Sequence, residues 1–235
     1  MKLFRYLKAE AGIKTISEMR FRIGRIHELN DSSEFFADYK RNGTSLPPDR
    51  VCSLIESIKR DKTKTTGILC FSAADVSSVL MWAHYADGGR GICVEIDSGM
   101  LGLSQGSLMP INYGPIPCIN VEEILDFTPE REEARLKSVG RIHYSKGDAW
   151  KYENEYRVFL SLKDSVLFID PLSNHESYFY ELKLGAIQAV YVGANAANQT
   201  LDLISYLLKK HMQNISLFKM IYDASKNALV SKELK

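Results

Sequence analysis

The stretch at residues 67–97, GILCFSAADVSSVLMWAHYADGGRGICVEID, constrains the fold more than any other part of the chain. Residues 68–71 are a short apolar run opening on a β-branched isoleucine. Residues 76–85 carry apolar and aromatic side chains at helical spacing, and residues 91–96 are apolar again. The pattern predicts strand, helix, strand. Gly88, Gly89 and Gly91 suit the reversal into the second strand, because glycine takes positive φ without a Cβ clash. Trp82, His84 and Tyr85 fall within one helical turn and fan around the helix, so one face packs on a sheet while another covers something else.

Around this unit the sequence predicts strands at residues 3–7, 20–26, 109–113, 177–182, 187–193 and 215–221, and helices at 13–18, 47–60 and 197–211. Asn30 or Asp31 suits the cap of a short helix, Asn42-Gly43 a loop, and the lysine-rich 61–64 the end of the helix opened by Pro47-Pro48. Residues 121–143, rich in Glu and Arg, read as a charged surface helix and a helical insertion, and residues 225–235 as a frayed tail. Strands outnumber helices and several adjoin in sequence. The expectation is an α+β protein with mixed, mostly antiparallel sheets flanked by helices, forming one globular domain over residues 1–235.

Charge and cysteines narrow the function classes. Lys plus Arg number 30 against 29 Asp plus Glu, so no long-range field marks a general nucleic-acid binder. Arg20, Arg22 and Arg25 would nonetheless share one face of a strand and offer a local nucleic-acid contact. Cys52, Cys70, Cys93 and Cys118 form no CxxC pair, and no His or Cys is spaced to join His84 around a metal, so no metal is expected. Free cysteines in apolar runs suit a reducing cytoplasm. Charges interrupt the apolar pairs of MKLFRYLKAE and no later run is long enough to cross a bilayer, so a cytoplasmic location without a membrane partner is expected. Homo-oligomerisation stays open.

The second informative stretch is residues 146–162, KGDAWKYENEYRVFLSL. From Glu155 it alternates, placing Tyr156, Val158 and Leu160 on one face and Glu155, Arg157, Phe159 and Ser161 on the other. Glu153 joins the acidic face if the strand starts early. The same residues read equally well as an ion pair on a solvated surface, and Met81, Trp82 and Tyr85 as ordinary core.

Leu29-Asn30-Asp31 with Glu34-Phe35, Cys70-Phe71-Ser72, the MWxHYA run at 81–86, the WxYExExR run at 150–157 and Val192-Gly193 together resemble the bacterial family catalogued as domain of unknown function 2971. Ser32-Ser33 stand where that family commonly has a proline. More distantly, the order of parts is similar to the ADP-ribosyltransferase superfamily. That likeness implies an ADP-ribosyltransferase-like core and NAD as substrate, with ADP-ribose transferred to a macromolecule or NAD hydrolysed. Toxin or phage-defence roles accompany it in small bacterial proteins. Under this resemblance Glu155, Glu153 and Ser72 fill catalytic positions. Arg5, Tyr6, Phe71, Trp82, His84 and Tyr85 surround the dinucleotide.

The chemistry accounts for those residue types. Cleavage of a nicotinamide–ribose bond passes through an oxocarbenium-like state, which a carboxylate such as Glu155 stabilises. Cationic nicotinamide is favoured between rings, and an arginine such as Arg5 binds a diphosphate bidentately. Ser72 would hold Arg5 or Glu155 in place, and Glu153 could position an acceptor. Two other functions compete: a non-catalytic module binding a nucleotide or a partner through the aromatic pocket, and a nucleic-acid-processing enzyme using the arginine face.

Overall fold

The computed structural model describes residues 1–29, 31, 34–41, 47–211 and 214–234, without the side chains of Pro48, Lys59 and His211. The expected cap at Asn30, the Ser32-Ser33 departure and the Asn42-Gly43 loop lie outside the described residues. In chain order, β1 (Lys2–Leu7), α1 (Ala9–Glu18), β2 (Arg20–Arg25) and β3 (Asp38–Lys40) precede α2 (Pro48–Thr65). The central unit follows as β4 (Thr66–Ser72), α3 (Val79–Tyr85) and β5 (Ile92–Asp97). Next come β6 (Met109–Pro110), β7 (Asn112–Tyr113), β8 (Cys118–Asn120), α4 (Val121–Leu125), α5 (Glu132–His143) and β9 (Ser145–Lys146). The rest is β10 (Glu155–Ser161), β11 (Val166–Ile169), β12 (Glu176–Glu181), β13 (Ile187–Val192), α6 (Asn198–His211), β14 (Ser216–Asp223) and β15 (Ala228–Leu234).

The fold is α+β, built on one large open sheet in the order β11-β12-β2-β4-β1-β5-β13-β14-β15, with β10 pairing β4 and β6 beyond it. Its pairings are antiparallel except β13 with β14, which α6 connects; a parallel pair needs such a crossover. The apolar runs of β4, β5 and β13 pack with Ile16 of α1 and Ile204 and Leu208 of α6 in one core. A second core gathers Phe4, Tyr6, Met81, Trp82 and Tyr191 around α3. A third joins Ile68 and Phe159 to Ile119, Ile124 and Ile142, so the 121–143 helices pack on β4 and β10.

Where the elements differ from the sequence reading, local chemistry explains it. Residues 121–143 divide into α4 and α5 because Pro129 fixes its own φ and disfavours helix at Thr128. Residues 225–235, expected to fray, instead supply β15, whose Ala228–Leu234 pairs along β14. The Glu34 N–H donates to the Asp31 carbonyl at 3.1 Å, and residues 34–37 form no helix. The glycine reversal does fit tightly: a Cβ on Gly193 would lie 2.2 Å from the Gly89 carbonyl oxygen, so β13 can end against this turn only as glycine.

Candidate active site

A cleft of about 220 Å³ opens where the sheet forks. Along one edge of β4, β1 pairs only at Phe4–Ser72 and β2 only at Gly24–Ile68 and Arg25–Gly67. Between these points the strands diverge, and Arg5 lies in the gap. It donates to the Arg22 carbonyl at 2.8 Å and lies 4.7 Å from the Phe21 ring centroid. Its Nη1 is buried without a hydrogen-bond partner among the described residues. Burial lowers its pKa to about 10, so it remains a cation at neutral pH.

On the other edge of β4, β10 pairs along its whole length, setting Glu155 opposite Ser72. Glu153 does not extend the strand. It ends a 3₁₀ turn at Asp148–Glu153, and Asn154 in the left-handed region (φ 43°) redirects the chain into β10. Ser72 Oγ donates to the Glu153 carbonyl at 2.5 Å and accepts the Ala74 N–H at 3.1 Å, so the hydroxyl fixes the Glu153 turn rather than Arg5.

The acidic face of β10 is buried, which decides between the two readings of its alternation. Arg157 is 1% exposed, and its five N–H donors are all engaged: two on Glu155 at 2.8 and 3.0 Å, two on Glu34 at 3.0 and 2.8 Å, and one on the His143 carbonyl at 3.0 Å. Lys146 Nζ lies 2.7 Å from Glu153, 3.3 Å from Glu155 and 3.4 Å from Glu34. Tyr85 donates its hydroxyl to Glu153, and the Tyr113 hydroxyl accepts the Glu155 N–H at 2.8 Å. Three carboxylates thus share two cations, and Arg5 lines the same cleft.

This wiring separates the two glutamates. Burial raises the pKa of Glu153, and Lys146 and Tyr85 offset that only in part. Burial opposes ionisation of Glu155 as well, but the Arg157 guanidinium beside it wins and holds its pKa below the usual carboxylate value. Lys146 is desolvated too, yet Glu155 and Glu153 raise its pKa overall.

Of the residues singled out in the sequence, Arg5, Tyr6, Phe71, Ser72, Tyr85, Glu153 and Glu155 line this cleft, drawn together from four separate segments. Trp82 and His84 do not. Trp82 is 2% exposed, packs edge-on against Tyr6 and donates its indole N–H to the Val76 carbonyl at 2.6 Å, so the indole is core. His84 is exposed on the far face of α3, 3.2 Å from the Tyr152 hydroxyl. The arginines of β2 are taken up by carboxylates: Arg20 by Glu18 at 2.6 Å, Arg22 by Glu28 at 2.8 Å and Arg25 by Glu176 at 3.8 Å. Glu34, Lys146 and Tyr113 were not singled out; Glu34 stood in the quoted family pattern, and Lys146 opens the KGDAW run. Among the described residues no cluster of His, Cys, Asp and Glu is arranged to hold a metal, and no helix is long and apolar enough to cross a membrane.

Comparison with known families meets this geometry at its centre. Residues 81–158 match the family model described as Protein of unknown function (DUF2971). The match contains both the MWxHYA and the WxYExExR signatures and bears out the kinship they implied. The DUF2971 segment supplies Tyr85, Lys146, Glu153, Glu155 and Arg157, while Arg5, Glu34 and Ser72 come from outside it. Neither a curated protein nor a solved structure matches the chain.

Proposed function

We propose that the cleft binds the nicotinamide–ribose end of NAD and that the protein consumes NAD, transferring ADP-ribose to an acceptor or hydrolysing the dinucleotide on an ADP-ribosyltransferase-like core. The observation that carries this reading is the pairing, in one cleft with Arg5, of two glutamates whose pKa values are driven in opposite directions. Opposed environments of that kind divide labour between two carboxyl groups. Glu155, held ionised, faces the positive charge that develops at the ribose carbon as the bond to nicotinamide breaks. The bonding electrons leave with the ring, which departs neutral. Glu153, the more basic carboxylate, accepts the proton of the attacking hydroxyl or water.

The ring open to a ligand in this reading is Tyr85; Tyr6 and Phe71 also line the cleft but are themselves core, 7% and 2% exposed. The unpartnered Nη1 of Arg5 offers a hydrogen bond to a diphosphate oxygen. A cleft of about 220 Å³ lies below the roughly 300–1,000 Å³ of pockets that enclose drug-sized ligands, so it takes one end of the dinucleotide and leaves the adenosine outside.

Incubation of the purified protein with NAD, followed by chromatography for free nicotinamide, tests the proposal. Release by the parent and its loss in Glu155→Gln, with both proteins shown to be folded by thermal melting, is the expected result. A folded parent that releases none overturns it. A second reading, binding without turnover, is favoured by the engagement of both Glu155 oxygens with Arg157. It predicts calorimetric NAD binding without nicotinamide release.

A further inference from the structure

A second cavity of about 200 Å³ lies in the helical layer and meets the cleft only at Glu34, which lines both. Ile55 and Ile58 of α2, Ile124 of α4, and Val139 and Ile142 of α5 wall it. Its rim carries Phe127, which is 67% exposed, and Leu136. Two cations also line it. Lys62 has no ion-pair partner among the described residues, and Arg135 has only a 3.5 Å contact to Glu132, most of whose side chain lies in solvent. Arg135 also lies 5.2 Å from the Phe127 ring centroid. Among the described residues the one carboxylate in the lining, Glu34, is already spent on Arg157 and Lys146. The cavity therefore presents apolar walls and unspent positive charge at its edge.

An apolar cavity of about 150 Å³ is large enough to take up benzene. We propose that this cavity is a binding site for a small aromatic monocarboxylate, with the ring among the isoleucines and the carboxylate on Lys62 and Arg135. A longer apolar chain suits it less well, because the volume stops at about one ring with a short tail.

The test is a titration of the full chain, carbon-13 labelled at isoleucine methyls, with 3-phenylpropionate and separately with its neutral analogue 3-phenylpropan-1-ol. The acid should produce saturable shifts at Ile55, Ile58, Ile124 and Ile142. Lys62→Met, a substitution at an exposed position, should weaken the acid by roughly two- to fivefold and leave the alcohol unchanged, as a partly solvated ion pair allows. Arg135→Met should do the same. Val139→Phe, which fills the cavity, should abolish both. Shifts that do not saturate, or that centre on isoleucines away from this cavity such as Ile92 and Ile96 of the main core, overturn the proposal. So does equal weakening of acid and alcohol in Lys62→Met.

Discussion

Replacing Arg157 with methionine keeps most of the side-chain length and removes the charge on which the buried network turns. Five hydrogen bonds go at once, and Glu34 and Glu155, each 5% exposed in its side chain, keep Lys146 as their one cation among the described residues, at 3.4 and 3.3 Å. Removing one partner of a buried ion pair costs about 3–5 kcal/mol because the remaining charge stays desolvated. For a chain of 235 residues each kcal/mol moves Tm by about 2–4 °C, so the loss is about 6–20 °C. Differential scanning calorimetry and urea unfolding read it directly. The triple variant Glu34→Met, Glu155→Met, Arg157→Met should recover most of that loss, since an apolar replacement of a whole buried pair is nearly neutral. A single variant within about 1 kcal/mol of the parent would show that water reaches the network and would refute the desolvation reasoning. A triple variant no more stable than the single one would show that shape, not charge, sets the cost.

Other consequences follow from individual contacts. Tyr85→Phe removes a hydrogen bond that lowers the Glu153 pKa, so Glu153 should become more basic and the acid limb of the pH profile for nicotinamide release should move to higher pH; an opposite shift counts against Glu153 as the base. Burial, aided by Lys62 and Arg157, brings the His143 pKa down from 6.5 to about 4. The unfolded chain therefore takes up this proton first, and stability falls as pH drops from about 6.5 toward 4, by roughly 1.4 kcal/mol per pH unit for this group. His143→Phe, which keeps the ring stacked on Phe159 at 4.6 Å, should flatten that slope in urea melts at pH 7, 6 and 5. Gly193→Ala drives a Cβ to 2.2 Å from a backbone oxygen and should cost about 2–3 kcal/mol, read as a lowered Tm.

The strand–helix–strand unit was legible because period and punctuation agree there: apolar runs bounded by a polar turn and a glycine reversal. The alternation of β10 was legible too, but its environment was not. A period of two places Glu155 and Arg157 on one face and says nothing about whether that face meets water. Cover comes from Glu34 and from α5, well apart in sequence, and only tertiary packing brings them there. Trp82 shows the same limit on a helix, where an aromatic residue at core spacing and one at a ligand wall leave the same trace in sequence. The tail around β15 failed for another reason: alternation over SKNALVSKELK is weak, and pairing with β14, not propensity, makes it a strand.

Glu153 and Glu155 are two residues apart and look equivalent in sequence, yet they reach the cleft by different routes. Glu155 is on the strand, so its partner Arg157 is fixed by the period of the same strand and holds it ionised. Glu153 is on the preceding turn, and the left-handed Asn154 takes it out of reach of that guanidinium and into contact with Lys146 and Tyr85. One backbone residue in an unusual conformation thereby gives adjacent carboxylates different electrostatic partners. Holding that turn is the work of Ser72, through its hydrogen bond to the Glu153 carbonyl, although the hydroxyl touches neither Arg5 nor a carboxylate. Loss of the Ser72 hydroxyl should therefore act on Glu153 through the turn and leave the Glu155–Arg157 pair as it is, because that pair is held along β10 and by Glu34 and the His143 carbonyl, none of which the hydroxyl touches.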